Sequence, residues 1–395
     1  MGLEQKIKVG LAGCGYWGSK HLRVLNELPD CELAAVCEPS SENLERVSKA
    51  LLPEFVTDDF DEMLGTEIDA VVIAAPARLH YPLARAALLK GKHVLTEKPF
   101  ATTSQHALQL AELATSRGLT VMVGHTYVFH PAVQFLKELV KSGELGDLHY
   151  VHTARLNFGL LQPDVDVLWD LAPHDLSILT YLLDDEPMVA GARGAARINP
   201  HLAEVAHLDL EFMDGLFAHI HVSWLEPVKV RRITLIGSEK TVVYDDVSQG
   251  EMIRIYNKSI TLGEPSGENG FGPPTYNDGD ITVPFLKPDE PLKLEDAHFM
   301  DCIRTGARPR SDGWQGLKVV NILESASRSL YNSGSLEDLT PRYYFQTGNG
   351  ATEQEPNGHP KAGSRGNGIE RRTNGHGRAG RRNGRQASMK GQVQE

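Results

Sequence analysis

Gly13, Gly15 and Gly18 stand in a Gly-x-Gly-x-x-Gly pattern that directly follows the apolar run 7–12 (IKVGLA) and precedes a helical pattern at 17–28. In that setting each glycine has its own use. Gly13 permits a tight turn, Gly15 lets the backbone approach a pyrophosphate, and Gly18 lets the helix pack on the strand, with the phosphates held at the helix N-terminus. Tyr16 and Trp17, inside the same turn, are further cofactor-contact candidates. Twenty residues past Gly18, where the second strand ends, stands Glu38. A carboxylate there accepts both hydrogen bonds of an adenosine ribose diol and repels a 2′-phosphate. Pro39, Ser40 and Ser41 follow with no arginine, which favours NAD over NADP on charge.

A second set of candidates sits beyond two other strand ends. The run 69–75 leads into Ala75-Pro76-Ala77-Arg78-Leu79-His80, and 92–96 leads into Glu97-Lys98-Pro99. Glu-Lys-Pro alone is a charged turn; at the carboxyl end of a strand beside a dinucleotide, Lys98 could hydrogen-bond a substrate hydroxyl and stabilise the alkoxide as hydride leaves. Ala75, Pro76, His80 and Glu97 join the cofactor candidates. Further on, Trp169-Asp170-Leu-Ala-Pro-His174-Asp175 opens a helical run that puts Asp170 and His174 on one face. Imidazole titrates near neutrality, and a neighbouring carboxylate can support its protonated form, as a general base requires. The same spacing also suits an acidic first turn with a capping histidine. Tyr127, Arg155 and Asn157 are candidate substrate contacts, the last two on one face of a strand that equally suits solvent or an oligomer contact.

These residues need rigid elements to position them. Continuous apolar runs at 7–12, 32–37, 69–75, 92–96 and 119–124 alternate with helical patterns at about 17–28, 41–52, 79–90 and 103–117. That pitch predicts a parallel doubly wound sheet, an α/β Rossmann domain over 1–124. A helix at about 131–142, opened by Pro131 and closed by Gly143, forms the connector. From Leu148 the strands alternate in polarity (148–157, 204–212, 216–224, 230–236), which predicts an α+β domain over 125–346 with a large, mostly antiparallel open sheet. A loop is expected at 263–280 and helices at about 295–305 and 314–331.

Composition narrows the function. Cys14, Cys31, Cys37 and Cys302 form no metal or disulfide spacing, no secretory signal opens the chain, and no apolar run approaches the roughly 18 residues that span a bilayer. A cytoplasmic protein without membrane partner is expected. His207, His219 and His221 lack an accompanying acid cluster, so no metal site is expected. The net charge is −12; the segment 347–395 holds nine Lys and Arg against four Glu, a net +5, leaving −17 on the rest. A body so acidic argues against nucleic acid, and the apolar-poor 347–395 segment reads as a disordered basic tail.

Together, GCGYWG at 13–18, AAPARLH at 74–80, GKHVLTEKP at 91–99 and DLAPH at 170–174 resemble the Gfo/Idh/MocA family of sugar and cyclitol oxidoreductases over about residues 5–345. The resemblance implies an open sheet that packs in homodimers or homotetramers. It also implies hydride passing between a substrate carbinol and the nicotinamide, with Lys98 contacting substrate and His174, beside Asp170, as acid/base. His125–Pro131 departs from the arginine-rich segment of many members, and the acid that often follows the histidine later stands here at once as Asp175. The Trp-Asp-Leu-x-Pro-His-Asp form is similar to a subgroup acting on nucleotide-linked sugars, including 3-dehydrogenases. Inositol or free-sugar oxidation is the alternative, and an NAD-binding sensor or scaffold without chemistry a second. Deleting 347–395 is expected to leave melting temperature and turnover unchanged; a large loss of melting temperature would show that the tail docks.

Overall fold

The computed structural model describes residues 6–159, 161–162, 164–263 and 272–339; the 347–395 segment read as a disordered tail lies outside them. Apolar strands alternating with helices form β1 (Ile7–Ala12), α1 (Tyr16–Glu27), β2 (Cys31–Cys37), α2 (Ser41–Arg46), β3 (Phe55–Thr57), α3 (Phe60–Leu64), β4 (Ala70–Ile73), α4 (His80–Leu89), β5 (His93–Glu97), α5 (Ser104–Arg117) and β6 (Val121–Gly124). The six strands are parallel, in the order β3-β2-β1-β4-β5-β6. The order reverses between β1 and β4, and ligands of such sheets bind in the crevice beyond the strand ends at that point. Every residue of β4 is buried, as for a strand covered on both faces. Two expectations needed correction here. β3 is too short and too exposed to mark itself by pattern, and the helix expected over 41–52 ends at Arg46, because Val47 and Ser48 take extended conformations before a 3-10 turn at Lys49–Leu51.

Pro131 opens α6 (Pro131–Lys141) at a position where its missing N–H costs nothing. There follow β7 (Leu148–Phe158), α7 (Val167–Leu183), β8 (Val189–Ala195), β9 (Val205–Glu211), β10 (Phe217–Ser223), β11 (Leu225–Gly237), β12 (Thr241–Asp245), β13 (Ile253–Leu262), β14 (Pro274–Thr282), α8 (Pro291–Thr305), α9 (Gly313–Tyr331) and β15 (Glu337–Asp338). Nine strands form the second sheet, in the order β14-β13-β12-β11-β7-β10-β9-β8-β15, antiparallel throughout except for β7 beside β10. Of the loop expected over 263–280, residues 264–271 lie outside the described residues and the end is a strand: β14 pairs with β13 from Pro274, and because all its residues are exposed no apolar alternation betrays it. Ala218, Ile220 and Val222 of β10 are buried in the core shared with α7, while His219 and His221 stand on the opposite, open face. There His207 stacks on His221 with ring centroids 4.1 Å apart, and His152 and His219 continue the row.

The late helices close both cores. Leu292, Phe299 and Met300 of α8 pack with Leu22 and Leu25 of α1. One side of α9 gives Leu317 and Val320 to the core of α5 and β6, and the other gives Val319, Ile322 and Leu323 to the core of the second sheet. No helix among the described residues is long and apolar enough to cross a membrane. Phe299, fully buried between α8 and α1, is expected to cost about 3–5 kcal/mol on Phe299→Ala; denaturant titration of the two proteins checks it, and a loss under about 1 kcal/mol would mean that α8 is not part of this core.

Candidate functional site

The crevice at the β1/β4 switch opens into a cleft of about 1510 Å³. Gly13, Gly15, Tyr16 and Trp17 line it from the first turn, Glu38 from the end of β2, Ala75 and Pro76 from the end of β4, Glu97 and Lys98 from the end of β5, and Trp169 and Asp170 from α7. Each glycine answers a different constraint. Gly13 holds φ +97°, and a Cβ on it would sit 2.6 Å from the Ala74 carbonyl oxygen. A Cβ on Gly18 would lie 1.9 Å from the Gly13 oxygen, so α1 can start only where position 18 has no side chain. Gly15 has φ −64° and open space around it, which leaves room for a phosphate rather than for the protein itself. Glu38 is nearly buried; its Oε2 accepts from Cys14 N at 2.5 Å and its Oε1 from Ser40 N at 2.8 Å. This fixes the carboxyl group against the glycine turn, with lone pairs left for a ribose diol. The donors, the open glycine and the placed acid fit a dinucleotide.

Lys98 Nζ donates to the Asp170 main-chain oxygen at 2.9 Å and lies 3.5 Å from Asp170 Oδ1. Trp224 Nε1 donates to Asp170 Oδ2 at 3.1 Å. The carboxylate of Asp170 is therefore shared between Lys98 and Trp224. One turn on, the Nδ1 of His174 is enclosed with no hydrogen-bond partner among the described residues. Burial, followed by the charges of Lys98, Arg155, His125 and Arg231, holds the His174 pKa well below the usual histidine range, so the ring is neutral. Tyr127 sets its ring edge-to-face on His174 at 5.1 Å.

His174, Tyr127 and Gly18 are not among the residues that line this cleft, and neither are three further sequence candidates, His80, Arg155 and Asn157. His80 is buried, with Nδ1 2.7 Å from the Pro99 oxygen and Nε2 2.8 Å from the Ala75 oxygen, so it ties two strand-end turns together from behind instead of packing on a cofactor. Arg155, expected in the substrate pocket, is buried in an ion pair with Asp175, Nε to Oδ2 2.7 Å, and lies under the Tyr127 ring. A buried guanidinium needs its counter-ion, and Asp175 on α7 takes it inward. Asn157 is half-buried beside Gly159 and Trp224. Sequence reasoning missed Trp224, Arg231 and His125. Arg231 sits 5.6 Å from the Tyr127 ring, paired with Asp246. His125 is buried with neither ring nitrogen partnered, and burial brings its pKa down to about 4. Nothing in the spacing of these three marks them, because each reaches the site across a different element.

Gly15→Ala is expected to keep the melting temperature of the parent, since the added methyl meets no protein atom, while weakening NADH binding at least tenfold. Fluorescence titration of NADH and a thermal melt check both halves; unchanged binding would mean that the cofactor does not cross this turn.

Comparison with known proteins agrees with the fold and with a dinucleotide cofactor. Residues 7–125 match the model of an oxidoreductase family with an NAD-binding Rossmann fold, and residues 133–243 match the GFO/IDH/MocA C-terminal domain. A UDP-N-acetylglucosamine 3-dehydrogenase of Acidithiobacillus ferrooxidans is 28% identical over 315 residues, covering 80% of this chain and 94% of its own. A scyllo-inositol 2-dehydrogenase (NAD(+)) of Bacillus subtilis is 23% identical, covering 78% and 89%. A solved structure of UDP-N-acetylglucosamine 3-dehydrogenase GnnA from Acidithiobacillus ferrooxidans shares the fold, with a TM-score of 0.69 at 24% identity over 83% of this chain and 98% of that one.

Proposed function

The chain belongs to the Gfo/Idh/MocA family of NAD-binding oxidoreductases, and on that basis we propose that it oxidises a secondary hydroxyl, at C3, of a nucleotide-linked sugar. NAD, when bound, supplies the hydride acceptor. The observation that carries the reading is Lys98 Nζ, held on Asp170 at the mouth of the cleft, with the neutral ring of His174 on the next turn of α7. In this assignment the Lys98 ammonium holds the substrate hydroxyl oxygen and stabilises the charge that develops there. His174 takes the hydroxyl proton, which requires the unprotonated imidazole. Asp170 serves chiefly to orient Lys98, and Trp224 keeps its carboxyl group in place.

A substrate with a nucleoside diphosphate is supported by the likeness to a UDP-N-acetylglucosamine 3-dehydrogenase. Inositol or a free sugar is the second reading, favoured by the likeness to an inositol dehydrogenase. A binder without chemistry would need neither Lys98 nor a neutral base beside it.

The decisive experiment follows NADH absorbance with UDP-N-acetylglucosamine, dTDP-glucose, UDP-glucuronate derivatives, glucose 6-phosphate and myo-inositol, with NAD and NADP in parallel. Turnover of a nucleotide sugar with NAD is expected, and activity on inositol or free sugar alone would replace this reading by the second. Lys98→Met should lower kcat by about 10²–10³-fold with NADH affinity retained; full activity would remove Lys98 from the mechanism. For His174 the sign is fixed by burial, since a depressed pKa leaves the base active above it and lost below it. The acid limb of kcat/KM should therefore lie below pH 6.5, and a limb above that value in the pH profile would point to another base.

A further inference from the structure

His21 occupies the buried stripe of α1 beside Leu22, Val24 and Leu25, where the pattern of the helix calls for an apolar residue. Both of its ring nitrogens face carboxyl groups. Nδ1 is 3.0 Å from each oxygen of Asp296 on α8, and Nε2 is 3.2 Å from Glu97 Oε1. Burial works against a charged ring here, but the interactions with Asp296 and Glu97 outweigh it and hold the His21 pKa well above the usual histidine range. Against ionised Asp296 and Glu97 both nitrogens donate, which only the imidazolium does. The second oxygen of Glu97 turns back to accept from Lys98 N at 3.1 Å. Gly124 stands opposite Glu97 in the β5–β6 register, and a Cβ there would lie 3.3 Å from Glu97 Oε2, so the missing side chain gives the carboxyl group its room. Glu295 shares the enclosure, accepting from Thr126 Oγ1 at 2.8 Å. Burial, then the charges of Glu97 and Asp296, push its pKa well up, which keeps it neutral and limits the negative charge.

We propose that His21 is a positioning residue for the dehydrogenase reaction: anchored on Asp296, it fixes Glu97, and Glu97 fixes the backbone from which Lys98 reaches the substrate. The inference rests on the dehydrogenase reading and goes beyond it, since neither His21 nor Asp296 lines the cleft. Its consequence is mechanical. The helix that begins at the glycine turn also carries the anchor of the lysine turn, so cofactor and lysine are held in one register by a single rigid element. A buried ion pair that served stability alone would show the same contacts, and the experiment must separate the two.

Full-length protein, Asp296→Asn, His21→Gln and the double variant are compared for melting temperature, NADH affinity, and kcat with the sugar that the parent turns over. Asp296→Asn leaves His21 with Glu97 alone, and His21→Gln leaves both carboxyl groups without a cation; each is expected to lose melting temperature, the second more, and the double variant to regain part of what His21→Gln loses. Turnover should stay about a hundredfold down in all three, as for a misplaced catalytic group, with NADH affinity unchanged. Recovery of kcat together with melting temperature in the double variant would make the network purely structural and overturn the proposal. If the single variants do not fold, Glu97→Gln reports the same split, and parental kcat there overturns it equally. Independently of activity, the ¹⁵N signals of the His21 ring should show the imidazolium above the ordinary histidine range, and a neutral ring would overturn the anchor. A parent protein that binds NADH but turns over no sugar would count against the dehydrogenase reading itself, an outcome distinct from an active parent with an equally active double variant.

Discussion

The tightest constraint among the described residues is the contact between the start of α1 and the turn that follows β1. With a Cβ at position 18 only 1.9 Å from the Gly13 oxygen, the helix could not begin where it does, and Gly13 in its positive-φ conformation is itself pressed against Ala74 at the end of β4. Three backbone segments thus meet without side chains between them. That meeting fixes the direction of α1, leaves Gly15 facing open space, and holds Glu38 against Cys14 N across the crevice. A dinucleotide site needs backbone at close range more than it needs side chains, and this packing supplies it.

Beyond that fixed point, charge pairing organises the polar groups of the second domain that approach the cleft. Arg155 is neutralised by Asp175, Arg231 by Asp246, and Lys98 by Asp170. Buried ions tolerate few arrangements, because each needs its partner at hydrogen-bond distance and leaves a large penalty if misplaced. The result is a set of paired polar groups around Tyr127 and His174, each held in place by its partner. His174, like His125, keeps an unpartnered nitrogen, and its neutrality follows first from burial and then from the cations around it.

The two sheets divide the labour unevenly. The parallel sheet presents strand ends, and its site is built from turns at β1, β2, β4 and β5. The open sheet contributes single residues from separate strands, among them Trp224 after β10 and Arg231 on β11. Relatives that match 80% and 78% of this chain are named for a nucleotide sugar in one case and an inositol in the other. Such divergence is what a common cofactor half and a residue-by-residue substrate half would produce.

Much of this was legible without a structure. The glycine spacing, Glu38 at a strand end, Lys98 beyond the next strand but two, and the change from continuous to alternating strands near Leu148 are local patterns, and local backbone geometry dictates them. Other features were decided only by tertiary packing. Asp170 lies four residues from His174, yet its carboxyl group went to Lys98 and Trp224, 72 and 54 residues away. His80 bridges two carbonyl groups, Arg155 turned inward to Asp175, and His21 found Asp296 at a separation of 275 residues. The sequence by itself determined the elements and the turns between them, because sterics and periodicity act over a few residues. Which polar groups face one another was settled by the need to pair each buried charge, and the candidates for that pairing come from anywhere in the chain that the fold brings near.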